Sequence, residues 1–147
     1  MSYHERVEEI AGKLATLAGA GFVYARLRLV SDWGRYIALF RDPESQRVNG
    51  WQVTRRGPGQ TPERSTRWAE TYVLHKLLGI NDAEESDFAI QEQVDAAIRL
   101  FRDEPDLVHG SVQGALKLVS IEPRTFGGVL CHVGELELTL DFYFQDL

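Results

Sequence analysis

Residues 129–144 alternate apolar and polar side chains with almost no break. Apolar residues and His132 occupy the even positions from Leu130 to Phe144, whereas Glu135 and Glu137 occupy odd positions. A repeat of two is typical of a β-strand with one buried face. At ~3.3 Å per residue this strand would exceed about 45 Å. We therefore expect part of it to project and to pair with another chain.

Other periodicities predict three helices and further strands. Apolar residues three and four apart predict helices over about 2–17, 32–40 and 86–104, each preceded or opened by an N-cap residue. The predicted caps are Ser2, Ser31 or Asp32, and Ser86. Alternation predicts strands over 22–30, 48–55 and 115–122, followed by a turn over 123–128.

Residues 68–80 satisfy both a helical and an extended pattern. Ala69, Leu74 and Leu77 favour a helix by propensity, whereas Tyr72 and Val73 favour a strand. We choose a strand, because it can then pair with residues 48–55 as a hairpin. The resulting order of elements predicts one α+β domain over residues 1–147. Its mixed, largely antiparallel sheet is flanked by about three helices.

Residues 55–67, RRGPGQTPERSTR, contain two glycines, two prolines, four arginines and one glutamate, but no apolar residue. Such a segment cannot bury enough surface to offset the entropy lost on ordering. It is therefore predicted to be a long, flexible, basic hairpin arm. It is either a solvated loop without a role or a segment that orders on contact with a partner.

Charge is divided unevenly along the chain. Residues 1–80 carry a balance of +4 and residues 81–147 a balance of −10, which gives the net charge of −6. The halves either form salt bridges within one molecule or make two faces that attract a neighbouring copy. The acidic total argues against general nucleic-acid binding, which relies on neutralising phosphates.

The motif survey gives no support for an active site. The four histidines lack metal-ligand spacing, and Cys131 and His132 are expected on opposite faces of a strand. A single cysteine excludes an internal disulfide and favours a reducing compartment. The chain also lacks a signal-peptide pattern and an apolar run long enough to span a membrane. We expect no enzymatic activity, no cofactor, no metal and no membrane association.

Four segments together resemble the tail terminator (tail-completion) proteins of long-tailed bacteriophages, including those of Mu-like phages and prophages. They are, in order, GAGFVYARLR, SDWGRYIALFR, TRWAETYVLHKLLGIND and RTFGGVLCHVGELELTL. The resemblance extends over roughly residues 5–145 and favours a strand at 68–80. It implies a small α+β structural subunit with a flexible hairpin loop at the position of the basic arm.

The resemblance further implies a hexameric ring that caps the tail tube, ends its polymerisation and provides the docking surface for the head. The expected partners are further copies of the chain, the tail tube protein and a head-completion or neck protein. DNA would pass through the lumen without specific binding. The protein would act in the virion, at the head-proximal end of the tail, after assembly in the bacterial host cytoplasm. We predict interface residues in the arm and the last strand: Arg55, Arg56, Arg64, Arg67, Glu135 and Glu137.

Two alternatives remain open. The first is another phage neck or head–tail joining protein with a similar subunit. The second is a small-molecule-binding or enzymatic α+β domain, which would require a closed apolar pocket with convergent polar groups. The candidate residues for such a pocket are His132, Tyr143 and Trp51.

Overall fold

The computed structural model describes residues 3–25, 32–58, 67–104, 112–113 and 116–143. These residues form three α-helices, one 3-10 turn (Asp82–Glu84) and six strands. The helices are α1 (Tyr3–Leu14), α2 (Trp33–Ala38) and α3 (Ser86–Asp103). The strands are β1 (Phe22–Tyr24), β2 (Asn49–Pro58), β3 (Arg67–Gly79), β4 (Val112–Gln113), β5 (Lys117–Phe126) and β6 (Val129–Tyr143).

The strands form one mixed sheet in the order β1–β2–β3–β6–β4, and β5 also pairs with β6. Only the β1–β2 pair is parallel among the described pairings. The predicted α+β fold, with a mixed and largely antiparallel sheet and three helices, is therefore confirmed. No helix within the described ranges has the length and apolar character that a bilayer crossing requires.

The ambiguous segment is a strand, as predicted. β3 pairs with β2 from Asn49 opposite Leu78 to Arg55 opposite Tyr72, and with β6 along its whole length. Its apolar side chains are buried on both faces of the sheet: Leu74 contacts the core beneath α1 and α3, and Leu77 contacts the core beneath α2. Burial on both faces explains why the segment lacks a clean alternation.

The expectation that part of the last strand projects is wrong. β6 lies inside the sheet, because β3 pairs with residues 131–143 along one edge, and β5 and β4 pair along the other. The predicted turn over 123–128 is also too long. β5 continues through Pro123 to Phe126, and only Gly127 and Gly128, both with positive φ, make the turn. Pro123 is tolerated because β5 is an edge strand among the described strands, where it pairs only with β6.

The sheet has two unequal apolar layers. α1 and α3 cover one face, where their buried side chains meet those of β2, β3 and β6. The short helix α2 covers one end of the other face with a smaller cluster. Asp32 caps α2, as predicted, by accepting the Arg35 N–H at 2.8 Å. Ser2 lies outside the described residues.

Candidate functional site

The face of the sheet beside α2 carries a band of polar side chains, which we call the polar face. β2, β3 and β6 run side by side there, and alternation brings Arg56, His75, Glu135 and Glu137 to the same side. Arg56 binds the Glu137 carboxylate, and its Nη2 lies 3.9 Å from Glu135 Oε2. The predicted residues Arg56, Glu135 and Glu137 are thus brought together in one molecule.

For these three residues, the arrangement supports the explanation that the basic and acidic halves form salt bridges within one molecule. The carboxylates are only 22% and 28% exposed, and Arg56 is 55% exposed. Their mutual attraction is therefore partly screened and is worth about 1 kcal/mol or less per pair. These side chains already satisfy one another within the subunit, which leaves less charge available for a partner.

Arg55 lies on the opposite face of the sheet and belongs to a buried network centred on Glu70. Arg6 donates to both oxygens of this carboxylate, at 2.6 and 2.7 Å. The Tyr72 hydroxyl donates at 2.8 Å and Arg55 Nη1 at 3.2 Å. The Arg55 guanidinium also lies 4.3 Å from the centre of the Tyr3 ring. The network joins α1 to the end of the β2–β3 hairpin from which the arm leaves the sheet.

Sequence reasoning missed Glu70, which is only 1% exposed. The sequence did contain a signal, because Glu70 is two residues before Tyr72 and four before Leu74, on the face of the strand that these residues bury. A buried carboxylate needs charged or hydrogen-bonded partners. Arg6 supplies them from α1, 64 residues earlier in the chain. Burial raises the pKa of Tyr72, whose hydroxyl donates to the carboxylate throughout the physiological range.

The basic arm is shorter than predicted, because β2 extends to Pro58 and β3 begins at Arg67. Arg55 and Arg56 are therefore strand residues with partners in the sheet. Arg64 lies outside the described residues, and Arg67 is described only as the first residue of β3. The flexibility of the arm and its contact with a partner stay predictions.

Lys76 is a second buried ionisable residue that sequence reasoning missed. Its side chain is fully buried, with Nζ 2.5 Å from Asn49 Oδ1 and 3.2 Å from the Ala20 carbonyl oxygen. The ammonium thereby fixes the loop between α1 and β1 against β2. Burial lowers the pKa of Lys76 to about 7.

His75 contributes an imidazole to the polar face. Its Nε2 lies 3.1 Å from Glu135 Oε1. Burial lowers the pKa of His75, and Arg124 and Arg56 act in the same direction, whereas Glu135 raises it. The ring is therefore mostly neutral at pH 7. It makes a hydrogen bond to Glu135 rather than a full ion pair.

The three residues predicted for a small-molecule pocket are not brought together. Trp51 is 1% exposed in the main core, and β6 separates His132 from Tyr143 by eleven residues, or about 36 Å. His132 Nε2 instead lies 3.0 Å from Ser86 Oγ, which accepts the Asn81 N–H. Ser86 is thus the first residue of α3 rather than its cap, and its hydroxyl closes the preceding turn.

Cys131 lies on the other face of β6 from His132, as predicted. The thiol is buried under α2, and burial raises its pKa to about 11. A thiol in that state is a poor nucleophile. The structure therefore places no activated cysteine beside a base at this position.

A groove of about 420 Å³, which we call the end groove, lies at the end of the sheet away from the arm. It is bordered by residues 40–42 and 45–49, by residues 78–81 at the end of β3 and just beyond it, and by the start of β6. Arg47 and Glu84 form an ion pair across its rim. Sequence reasoning did not identify this groove, because its three walls come from distant parts of the chain.

The described ranges contain no group of three or more histidine, cysteine, aspartate or glutamate side chains that could hold a metal ion. The candidate sites are therefore the polar face, the end groove and the exposed edge of the sheet. In comparisons with known proteins, no family model and no curated protein matches the chain.

Proposed function

We propose that this chain is a virion structural protein that assembles into a hexameric ring on the end of a phage tail tube. The ring would end tube polymerisation and present the docking surface for a head-completion or neck protein. Its action is mechanical, without turnover of a substrate. The proposal starts from the resemblance to tail terminator proteins and is supported by features of the subunit.

The β2–β3 hairpin carries the proposal. Its strands are 10 and 13 residues long and flank the Gly-, Pro- and Arg-rich segment at the position where the resemblance implies a flexible loop. The buried Glu70 network fixes to α1 the base of the arm, which is the end of the hairpin next to the connecting segment. A firmly held base with a polar connecting segment suits an arm that orders on a partner.

Two unlike surfaces support head-to-tail association. The acidic surface consists of exposed carboxylates before and along α3: Asp82, Glu85, Asp87, Glu92 and Asp95. The β5 edge carries Lys117 beside two exposed apolar residues, Leu118 and Val119, at 40% and 47% exposure, and farther along it Arg124 lies 3.7 Å from Glu122. Unlike faces of opposite charge generate closed rings when the rotation between copies closes.

An exposed sheet edge also provides a natural contact. Of the strands that the structure describes, only β6 pairs with β5. Its far side presents N–H and C=O groups next to Leu118 and Val119, and such edges readily pair with another chain. We assign the contact between neighbouring subunits to this edge. The acidic surface then faces either the next subunit or the lumen, where it would repel DNA.

Light scattering coupled to size exclusion, with negative-stain electron microscopy, tests the assembly. We expect six-fold rings, or a monomer that converts to rings as the protein concentration rises. A monomer or a two-fold dimer across the full concentration range would contradict the ring.

The subunit contact is tested by Val119→Asp, with Thr125→Asp on the same strand as the matched control. Thr125 is also exposed but lies beyond the apolar pair. We expect Val119→Asp to shift the protein to monomer and Thr125→Asp to leave the rings intact. Rings that survive Val119→Asp would exclude the β5 edge as the contact, without excluding a ring built on another surface.

The arm is tested separately by Arg64→Ser combined with Arg67→Ser. Arg55 and Arg56 are left unchanged because they have partners within the subunit. We expect rings of normal size that no longer support tails of normal length joined to heads. Normal tails from this variant would show that these arginines have no role in assembly.

A further inference from the structure

The end groove contains one cation whose charge nothing in the described chain neutralises. Arg41 lines the groove, and its Nε is buried without a hydrogen-bond partner. Within the described residues its guanidinium forms no salt bridge. Arg41 as a whole is partly exposed, and a guanidinium without a salt bridge favours an anionic ligand that can form charge-assisted hydrogen bonds with it.

The two carboxylates of the groove are already engaged elsewhere. Glu84 is held by both terminal nitrogens of Arg47. Asp42 accepts the N–H groups of Ser45 and Glu44, at 3.0 and 2.7 Å, and these bonds lower the pKa of Asp42. Neither carboxylate makes a hydrogen bond to Arg41, so its guanidinium is open to an anionic ligand in a groove that is lined by two cations and two anions.

One part of the walls around this charge is apolar, and the rest is polar. Phe22, Phe40, Leu78, Val129 and Leu130 line the groove, and Phe22 and Leu130 are 39% and 49% exposed. A volume of about 420 Å³ lies within the range of sites for small organic molecules. Apolar walls around one guanidinium suit a ligand that has an apolar body and a single negative group.

We propose that the end groove binds a small organic carboxylate, with its apolar body against Phe22 and Leu130 and its carboxylate on Arg41. A guanidinium and a carboxylate form two parallel hydrogen bonds in a common plane. Burial of the ligand body removes apolar surface of both partners from water. This binding function is separate from ring assembly and goes beyond it.

The test uses 3-phenylpropionate as the probe and 3-phenylpropionamide as its neutral match, both titrated into the full chain and followed by calorimetry and amide chemical shifts. We expect the acid to bind at least about tenfold more tightly than the amide. The largest shifts should fall on amides that border the groove, such as those of Gly21, Gly79 and Leu130.

Arg41→Gln should weaken binding of the acid at least about tenfold and leave binding of the amide unchanged. Arg41→Lys keeps the charge without the paired geometry and should fall between the two. Arg35→Gln on the exposed side of α2 is the control, since its side chain is 73% exposed and outside the groove. Thermal unfolding of each variant shows whether it is folded.

Three outcomes would overturn the inference: no binding of the acid at millimolar concentration, equal binding of acid and amide, or equal binding by Arg41→Gln and the unchanged protein. A capped peptide with aspartate beside phenylalanine is the second probe. If it binds more tightly than 3-phenylpropionate with the same dependence on Arg41, the groove receives a protein segment, and the assignment to a free acid is wrong.

Discussion

Replacing Glu70 by glutamine should destabilise the protein severely. The substitution keeps the shape of the side chain but removes the charge that Arg6 and Arg55 share. The amide also places a donor where the carboxylate accepts hydrogen bonds on both oxygens. Arg6 is 7% exposed, so its charge would lose, in the interior, the carboxylate that it binds at 2.6 Å.

Breaking a buried pair from one side costs about 3–5 kcal/mol. Arg55 is 27% exposed and can rehydrate, so it adds little to that figure. A domain of this size has a free energy of unfolding of roughly 5–15 kcal/mol. The loss is therefore a large fraction of the total, and the melting temperature should fall by roughly 6–20 °C.

Urea unfolding of Glu70→Gln measures this loss directly, with Glu122→Gln as the control. Glu122 is 59% exposed and lies 3.7 Å from Arg124, so its substitution should change stability by about 0.5 kcal/mol or less. Adding Arg6→Met to Glu70→Gln should recover part of the loss, because it removes the stranded charge. A loss below about 1 kcal/mol for Glu70→Gln, or no recovery in the double variant, would refute the reasoning.

Three further measurements follow from the structure. Because the folded-state pKa of Lys76 is about 7 and the unfolded value is 10.5, the unfolded chain binds more protons between these values, and the contribution of Lys76 to stability rises with pH there. Lys76→Met should abolish this contribution, so that the rise in the free energy of unfolding between pH 7 and pH 9 is about 2 kcal/mol smaller than in the unchanged protein. Lys117→Met, at an exposed position, is the control and should leave this rise unchanged. Gly21→Ala should prevent folding or cost several kcal/mol, since φ is +73° and the new Cβ would overlap the Asn49 carbonyl, whereas Gly128→Ala has open space and should cost about 1 kcal/mol. Rings held by charge should dissociate as salt rises from about 50 mM to 500 mM, and rings indifferent to salt would show that apolar contact at the β5 edge holds the subunits together.

The elements that the sequence predicts well are those whose signal is local. The stripe of Val7, Ile10 and Leu14 identifies α1, and alternation identifies β6. The strand at residues 68–80 is predictable only because a hairpin with residues 48–55 requires it. The pattern of this segment alone cannot decide, since both faces of β3 are buried.

The parts that could not be predicted depend on contacts distant in sequence. Nothing in the sequence near Glu70 indicates that Arg6 will neutralise it. Likewise, nothing near Lys76 indicates that the loop after α1 will accept its hydrogen bonds. The position of β6 inside the sheet likewise depends on β5 and β4 occupying its second edge. Length alone suggests a projecting strand, because a strand's neighbours cannot be read from its own residues.

The division of charge between the two halves of the chain has a different meaning once the strands are paired. β3 lies between β2 and β6, and Arg56 reaches across it to the carboxylates of β6, so part of the basic half is neutralised by the acidic half inside one subunit. What a partner meets is the remainder: the exposed carboxylates along α3 on one side and, on the β5 edge, Lys117 together with Arg124, which is itself paired with Glu122. Because exposed charges attract only weakly across water, this remainder can orient neighbouring subunits but cannot hold them together alone. Any stable ring must therefore also bury apolar surface, and Leu118 and Val119 are the exposed apolar residues that lie beside those cations.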